Sequence, residues 1–314
     1  MKTPILLFAF RRPVHTQRTL ESLAANAEAR DAHLTIFIDG PRHEEDRRLS
    51  DAVEAVARSR NWCGQVEVVR RPVNWGVPKS VITEVTDAVN RYGRVIVLED
   101  DLDLSPYFLR FMEDGLERYC DEPRVMEISG YRYPVKNVPS RSAFVGHAVG
   151  WGWATWKRAW DLFEVDPHKL IARIERAGLQ RQFDLEGTAP FMQMLHNAAR
   201  GRLGGWDVRW SATMLLNGGL TLCPPASLAN NFGHDGTGTN CNAGSHYDTL
   251  LAKAAVTDFP AAIVEDAQFR QGLRRFYMDI EGPLPIRLVR KVLRKLDSVL
   301  PRKFGKALRY YYLR

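Results

Sequence analysis

A run of apolar residues that ends in a cluster of acids constrains this 314-residue chain more than any other stretch. Val95 to Leu98 is unbroken and aliphatic, which is typical of a strand buried on both faces within a parallel sheet. Four carboxylates follow almost at once, those of Glu99, Asp100, Asp101 and Asp103. Because ligands bind beyond the carboxyl ends of strands in open α/β sheets, a site is expected here. A divalent cation commonly offsets the repulsion in such a cluster; the alternative is a solvated acidic turn.

Strand and helix patterns alternate along the N-terminal part of the chain, which predicts an α/β fold with a Rossmann-like, mostly parallel sheet flanked by helices. The predicted strands before the acidic cluster are 3–10, 34–38 and 65–70, and the predicted helices are 15–29, 43–60 and 80–92. Beyond the cluster, the pattern predicts a helix over 106–119 and short strands over 125–129 and 220–223.

The dinucleotide-binding version of this fold is excluded, because no GxGxxG follows the first strand and no Walker A sequence occurs. Other groups must therefore hold any nucleotide. Arg11 and Arg12 follow the first predicted strand, and Asp39 ends the second. These residues offer a cation for phosphate and an acceptor for a base or a ribose.

The most aromatic stretch of the chain, 144–160, alternates glycines with tryptophans around Gly150-Trp151-Gly152-Trp153. Glycine is unfavourable inside helices and strands, so this stretch is predicted to be a loop. In such a loop the backbone passes close to a ligand, and the indole faces are available for stacking against a sugar ring. The alternative is a tryptophan-rich corner of the core.

Two later residues are candidates for chemistry. Asp207 is predicted in the first turn of a helix that follows Gly204-Gly205, a position where an acid is also a common cap. His234 lies in the polar, glycine-rich segment 230–240, which is predicted to be a loop. It could ligate a metal, although a lone loop histidine is more often only exposed.

The positive charge of the chain is concentrated near its C-terminus. The formal net charge is +7, yet residues 283–314 alone carry ten Lys and Arg against one Asp. This distribution argues against a nucleic-acid-binding core. Residues 286–300 place apolar side chains on one stripe with basic side chains around it, which predicts a helix on an anionic membrane surface. The alternative is a helix packed on the body with a solvated basic face.

Cysteine usage and hydropathy predict a soluble, cytosolic chain. The four cysteines form no CxxC pair, and the apolar run 4–10 is too short for a secretory signal. No window approaches the roughly 18 apolar residues that a membrane span needs.

Five motifs in consistent order resemble those of GT-A glycosyltransferases, specifically the N-acetylglucosaminyltransferase I family and its bacterial relatives. They are Leu98-Glu99-Asp100-Asp101-Leu102, the Asp39-ended strand with His43-Glu44-Glu45, Gly150-Trp151-Gly152-Trp153, Trp206-Asp207, and Asn231-Phe232-Gly233 with Gly236. The resemblance runs from about residue 4 to 238. It departs at Asp207-Val208, where the family shows two acids, and Asn74-Trp75-Gly76 fits the wider bacterial glycosyltransferases better.

The resemblance implies donor-site roles. Arg11 would lie near the nucleotide diphosphate, and Asp39 would accept from the uracil ring. Glu99 and Asp100 would contact the ribose and the donor sugar. Asp101 would coordinate Mn²⁺ or Mg²⁺ that bridges the diphosphate.

The remaining candidates concern catalysis and the acceptor. By the same resemblance, Asp207 would be the catalytic base. His234 is a second candidate ligand of the metal, and Trp151, Trp153 and Trp206 are expected to line the acceptor or sugar site.

These roles imply an inverting, metal-dependent hexosyl- or N-acetylhexosaminyltransferase with a UDP-sugar donor and a glycan or lipid-linked glycan acceptor in cell-surface polysaccharide synthesis. A catalytic domain over 1–265 would comprise a nucleotide-sugar half, 1–130, and an acceptor half, 131–265. A basic helical tail over 266–314 would dock the protein on the inner face of the membrane.

Two other functions stay open from the sequence. A nucleotidyltransferase acting on sugar phosphates would also use a sheet and metal carboxylates, but Phe10-Arg11-Arg12-Pro13 lacks the glycines of its signature loop. A catalytically silent module of the same fold would bind a glycan or a partner enzyme, and the intact acidic cluster argues against it.

Overall fold

The computed structural model describes residues 3–138, 140–202, 205–237 and 244–282. The predicted membrane-binding helix and the whole of 283–314 lie outside the described residues, as does Gly204 of the Gly-Gly break. None of the described helices is long and apolar enough to cross a membrane.

Ten strands are present in the described part of the chain. They are β1 (Ile5–Ala9), β2 (His33–Ile38), β3 (Gln65–Arg70), β4 (Arg94–Glu99), β5 (Leu102–Leu104), β6 (Val125–Ser129), β7 (Ala143–Val145), β8 (Trp153–Trp156), β9 (Leu220–Cys223) and β10 (Ala229–Asn231).

Eight of these strands form one sheet in the order β3-β2-β1-β4-β8-β6-β9-β7. Neighbours from β3 to β4 pair in parallel, and so do β6 and β9, whereas β8 and β7 run antiparallel to their neighbours. The two remaining strands, β5 and β10, form a separate antiparallel pair. The predicted α/β fold class, with a Rossmann-like, mostly parallel sheet, is therefore confirmed.

Ten α-helices and one 3₁₀ helix (Ala27–Asp31) are described. The α-helices are α1 (Pro13–Ala24), α2 (Glu44–Arg58), α3 (Val77–Tyr92), α4 (Phe108–Arg118), α5 (Lys157–Trp160), α6 (Pro167–Arg176), α7 (Gln180–Phe183), α8 (Phe191–Ala199), α9 (Trp206–Leu216) and α10 (Ala267–Glu281).

Helices cover both faces of the sheet, which explains the unbroken apolar runs of its central strands. Ile96 and Leu98 of β4 pack in one core cluster with α1, α2 and α4. Val95 and Val97, on the other face, pack in a second cluster with α3, α5 and α9. Since both faces of β4 are buried, its sequence shows no polar alternation.

The prediction of a loop over 144–160 is wrong at its start, where Phe144 and Val145 belong to β7, and in its second half. Trp153–Trp156 forms β8, which pairs with β4 on one side and β6 on the other, and Lys157–Trp160 forms α5. Within this stretch only residues 146–152, between β7 and β8, leave regular structure. Gly152 adopts a positive φ of 64°, and a Cβ there would lie 3.0 Å from the Phe108 ring, so glycine serves packing at this point.

The first part of the predicted tail packs against the body. Phe269, Leu273 and Tyr277 of α10 are buried in a cluster with Tyr131 and Val145. Asp266 caps this helix by accepting from the backbone N–H of Phe269 at 2.9 Å.

Candidate functional site

The site lies at the carboxyl end of β4, where the chain turns sharply after Glu99. The Thr19 hydroxyl of α1 holds this turn, because it donates to the carbonyl of Asp100 at 2.8 Å and accepts from the backbone N–H of Leu102 at 3.1 Å. Asp100 and Asp101 consequently point to the same place beside Arg12, here called the cleft, with side chains only 7% and 6% exposed.

Arg12 compensates both buried carboxylates. Its Nη2 donates to Oδ1 of Asp100 at 2.6 Å and to Oδ2 of Asp101 at 2.7 Å. Asp100 also accepts from the backbone N–H of Phe10 at 3.2 Å. The Nη1 of Arg12 is buried and has no hydrogen-bond partner within the described residues. A donor in that state is available to an anionic ligand.

The sequence offered Arg11 and Arg12 together as a cation for phosphate, and the resemblance placed Arg11 near the diphosphate, which stays a prediction. The contact of Arg12 with both acids was not predicted. The available signal was the Arg-Arg pair directly after β1. In the structure, Arg11 turns away from the acidic pair and forms an ion pair with Asp46, with 3.2 Å between Nη1 and Oδ1.

The concentration of acids changes their titration. Burial raises the pKa of the Asp100 carboxyl. Burial also raises the pKa of Glu99, to about 8, with further contributions from the charges of Asp101, Asp100 and Asp207. Because these charges reach Glu99, the carboxylates of Glu99, Asp100, Asp101 and Asp207 share one electrostatic environment.

A small antiparallel pair brings a second segment to Asp101. β10 pairs with β5 so that its last residue, Asn231, lies opposite Leu102 and donates from Nδ2 to Oδ1 of Asp101 at 3.2 Å. The next residue, Phe232, donates its backbone N–H to the Asp101 carbonyl at 3.0 Å. A Cβ built on Gly233 would lie 2.0 Å from Oδ2 of Asp101, so only glycine allows this close approach.

The donor set fits a divalent ion that is shared with a diphosphate. Among the described residues, no group of three or more His, Cys, Asp or Glu could hold a metal by itself. Mg²⁺, however, is commonly bound through one or two carboxylates together with substrate phosphates. By the resemblance, Asp101 would be such a carboxylate, and its Oδ2 and Oδ1 at present accept from Arg12 and Asn231. The Nδ1 of His234, nearby in the chain, is buried and without a hydrogen-bond partner in the described structure.

Asp103 and Arg18 form an ion pair beside the cleft, with 2.6 Å between Nη2 and Oδ2. The Arg18 guanidinium also lies 4.2 Å from the centroid of the Phe232 ring. Asp103, which had no assigned role, thus helps to fix the segment that approaches Asp101.

Asp39 stabilises a loop at the carboxyl end of β2. Its Oδ1 accepts from the backbone N–H groups of Gly40 at 2.9 Å and Trp75 at 2.8 Å. Its Oδ2 accepts from the N–H of Gly76 at 2.8 Å. The predicted contact with uracil stays a prediction, and the lone pairs of Asp39 are already shared with the 74–76 loop.

Asp207 lies in the first turn of α9, as predicted from the Gly-Gly break. The residue keeps access to solvent, but the protein that encloses it on its other sides raises the pKa of its carboxyl by desolvation. The carboxylate accepts from its own backbone N–H and from that of Val208. The charge of Asp207 contributes to raising the pKa of Glu99, so the two carboxylates are close enough to interact.

The three predicted sugar-site tryptophans are in different environments. Trp151 is half-buried at the cleft, with its ring centroid 5.5 Å from that of His234 and 5.3 Å from that of Tyr247. Trp153 is fully buried and stacks on Trp206 at 5.0 Å. A ligand could touch the Trp153 ring only if the core opened, so only Trp151 presents a partly exposed indole.

A buried acid behind the cleft, Glu127 of β6, was not noticed in the sequence. It accepts from the N–H of Val149 at 2.6 Å, the Trp210 indole at 2.7 Å and the Thr221 hydroxyl at 3.1 Å. Burial raises its pKa to about 7. The only signal was a single acid within the short apolar run 125–129.

Comparisons with known proteins yield distant structural likenesses. No protein-family model and no curated protein matches the chain. Among solved structures, S. aureus TarS 1–349 is similar at 14% identity over 52% of this chain and 48% of that chain, with a TM-score of 0.36. GalNAc-T7 with UDP, GalNAc and Mn²⁺ is similar at 12% identity over 72% and 43%, with a TM-score of 0.43.

S. aureus TarS 1–349 in complex with UDP-GlcNAc is similar at 16% identity over 44% of this chain and 37% of that chain, with a TM-score of 0.30. The chain thus spans less than half of the length of each of these structures. The specific resemblance to the N-acetylglucosaminyltransferase I family gains no support from these comparisons. The function of the chain must be argued from its own site.

Proposed function

We propose that the chain is a GT-A glycosyltransferase that moves a hexose or N-acetylhexosamine from a UDP-sugar to an acceptor hydroxyl with inversion. The observation that carries this proposal is the pairing of Asp100 and Asp101 with Arg12 at the end of β4, in a cleft that also receives Asp207. The Arg12 side of this cleft suits a diphosphate, and the Asp207 side offers a general base.

The donor side supplies positive charge where the leaving group develops negative charge. The unpartnered Nη1 of Arg12 is the donor available for a phosphate oxygen. Asp101, with His234 as a second candidate ligand, would hold Mn²⁺ or Mg²⁺. When bound, the ion acts as a Lewis acid on the diphosphate. Glu99 and Asp100 would contact the ribose and the donor sugar. Asp39 would contact the uracil ring of the nucleotide through the loop that it stabilises.

Asp207 is the proposed general base. An acceptor hydroxyl must lose its proton as it attacks, and a carboxylate within hydrogen-bond distance can accept it. A base is most effective when its pKa is close to the working pH, and the pKa of Asp207 is raised in that direction. Direct displacement with one base and no covalent intermediate inverts the anomeric centre.

A wall of aromatic rings is the proposed acceptor surface. At one end is Tyr277. Its pKa is raised by burial, by the neighbouring tyrosines and, to a smaller extent, by the charge of Asp207. The wall continues through Tyr133, whose hydroxyl lies 3.1 Å from that of Tyr277. At the other end, Tyr247 stacks on His234 at 5.2 Å and contacts Trp151. Tyr277 is itself buried, so a sugar would stack on the partly exposed rings of Trp151, Tyr133 and Tyr247, which chiefly lowers the entropic part of the barrier.

The acceptor is proposed to be a glycan or lipid-linked glycan of cell-surface polysaccharide synthesis. The support is the basic amphipathic sequence over 283–314, which fits an anionic membrane surface. A lipid-linked acceptor would account for a cytoplasmic enzyme that docks on the inner face of the membrane.

Incubation of the full chain with a panel of nucleotide sugars, with Mn²⁺ and with EDTA, tests the proposal. We expect release of UDP from a UDP-sugar in the presence of Mn²⁺ and little release with EDTA. Release of pyrophosphate from UTP and a sugar phosphate would instead indicate a nucleotidyltransferase. UDP binding without turnover, with any donor and acceptor, would indicate a silent binding module.

A further inference from the structure

Asp46 is a buried acid that is surrounded by basic groups. It lies in the first turn of α2 and is 1% exposed. Its Oδ1 accepts from Arg11 Nη1 at 3.2 Å, and its Oδ2 accepts from Arg42 through Nε at 3.1 Å and the backbone N–H at 3.3 Å. The Nε2 of His43 lies 3.6 Å from Oδ2. Burial raises the pKa of Asp46, but the hydrogen bonds and charge of Arg42 outweigh it and lower the pKa.

Helix stabilisation alone does not explain this arrangement. An acid in the first turn of a helix interacts favourably with the helix dipole while it stays in solvent. Burying a carboxylate is unfavourable unless it is paired. Glu44 and Glu45 already place exposed acids in this turn of α2, with side chains 81% and 94% exposed. Glu44 and Glu45 can stabilise the helix dipole from solvent, so the burial of the Asp46 carboxylate needs another explanation.

The groups that Asp46 joins come from two adjacent strand ends. Arg11 follows β1, and Arg42 follows β2, which pairs with β1 in parallel. The carboxyl ends of neighbouring parallel strands are the ligand-binding edge of such a sheet. Arg11 is also directly next to Arg12, which contacts the acidic pair of the cleft.

The exposure of these side chains leaves positive charge facing the solvent. The side chains of Arg11 and Arg42 are 35% and 36% exposed, whereas that of Asp46 is 1% exposed. One carboxylate is thus enclosed between two guanidinium groups, each of which keeps part of its surface open. Within this ion-pair cluster two cations face one buried anion, while the exposed carboxylates of Glu44 and Glu45 lie in the same turn of α2. The attraction for an anionic ligand is therefore local to the two guanidinium groups.

We propose that Asp46 is a positioning residue that fixes Arg11 and Arg42 to receive the anionic part of the nucleotide donor. This inference rests on the proposed function. Arginine side chains have many rotamers, and holding them in place before binding removes part of the entropic cost of binding. Asp46 itself is too enclosed to touch the ligand, so it acts through the two arginines.

A double-mutant cycle measured by calorimetric titration of UDP in Mn²⁺ tests the inference. The variants are Asp46→Asn, Arg11→Met and the double variant, and the matched control is Glu45→Gln on the exposed side of the same turn. We expect Asp46→Asn to raise the Kd for UDP and the KM for the donor roughly five- to tenfold, with kcat within about twofold. Asp46→Asn should weaken binding less in the Arg11→Met background than in the wild type, because part of its effect acts through Arg11 and the rest through Arg42.

The outcomes separate this inference from the proposed function. Wild-type protein that binds no UDP would overturn both. Wild-type binding that Asp46→Asn retains in full, or effects of the two single variants that simply multiply, would overturn the inference alone. Asp46→Glu keeps the charge but displaces the carboxylate, and it gives the same test if Asp46→Asn fails to fold. We expect it to raise KM with kcat unchanged, and an unchanged KM would contradict the inference.

Discussion

The guanidinium of Arg12 donates from Nη2 to Oδ2 of Asp101 at 2.7 Å, and both side chains are largely removed from solvent, at 16% and 6% exposure. The same nitrogen holds Asp100. A buried carboxylate pair with a single cation is sensitive to the loss of that cation, because the charges that remain cannot be hydrated.

Arg12→Met should therefore lower the free energy of unfolding by about 3 kcal/mol. Urea denaturation measures this loss. Millimolar Mg²⁺ should restore more stability to the variant than to the wild type, since the ion binds the two uncompensated carboxylates of the folded state. Arg47→Met, which removes an exposed ion pair with Glu44, is the control and should cost less than about 1 kcal/mol. Equal losses in the two variants would contradict the role of Arg12.

Gly233→Ala should disrupt the Asp101 carboxylate without unfolding the protein. The added methyl group would overlap Oδ2 of Asp101, so the carboxylate must rotate away from its position in the cleft. Mn²⁺-dependent UDP binding should weaken at least about tenfold, because the ligand group is misplaced. Gly244→Ala is the control, since the nearest atom to its Cβ would be 3.8 Å away. Wild-type affinity in Gly233→Ala would remove Asp101 from the donor site.

Asp207→Asn should reduce kcat by roughly 10²- to 10⁴-fold while the Kd for UDP changes by less than about twofold. The base must be ionised, so activity should decline as the pH falls through its pKa. Because the pKa of Asp207 is raised, this acid limb should lie above the range of an ordinary aspartate. A pH–rate profile of the wild type and single-turnover rates of the variant check both statements. Full activity of Asp207→Asn would exclude it as the base.

Ionisation of Glu127 should lower the free energy of unfolding as the pH rises. Its pKa of about 7 in the folded state exceeds the unfolded value of 4.5, so the folded state binds the proton more tightly. The stabilisation from Glu127 is fully present below the pKa of the unfolded state and is lost as the pH rises through the pKa of the folded state. The loss amounts to about 3 kcal/mol of the free energy of unfolding.

Denaturation of wild type and Glu127→Met between pH 4.5 and 8 isolates that contribution. Methionine is similar in length and cannot ionise, so the difference between the two stability curves should change over this range. The variant will also be less stable at every pH, because the donors of Val149 and Trp210 lose their acceptor. Parallel curves would contradict the raised pKa.

Deletion of 283–314 should release the protein from vesicles that contain anionic lipid, and turnover of soluble substrates should stay near the wild-type level. The ten basic residues of this segment provide the expected attraction. Sedimentation with anionic and with zwitterionic vesicles measures the effect. Full-length protein with glutamine at Arg287, Arg290, Lys291, Arg294 and Lys295 is the matched variant. Vesicle binding that survives the deletion would place the contact elsewhere.

The elements that the sequence predicted correctly are those specified by local pattern. The strands over 65–70, 125–129 and 220–223 have the predicted bounds, and Asp207 lies in the first turn of its helix. Continuous aliphatic runs and glycine breaks are local signals, so they can be recognised without knowledge of the tertiary structure.

What the sequence did not reveal depends on distant partners. β5 and β10 are three residues each and exist only because they pair across more than 100 positions. β8 was obscured by its glycine neighbours, although tryptophan suits a strand that is buried on both faces. The roles of Arg12 and Asp46 likewise follow from side-chain direction, which a linear pattern does not contain.

The position of β8 limits how the cleft can change shape. This strand is hydrogen-bonded to β4 on one side and to β6 on the other, and β6 continues the sheet to β9. Hinge opening between Asp101 and Asp207 would break those backbone bonds, so the spacing of the two carboxylates is built into the sheet. If the chain has the proposed function, substrate entry and product exit would then depend on the surface segments around the cleft, and turnover would be limited by loop motion instead of domain motion.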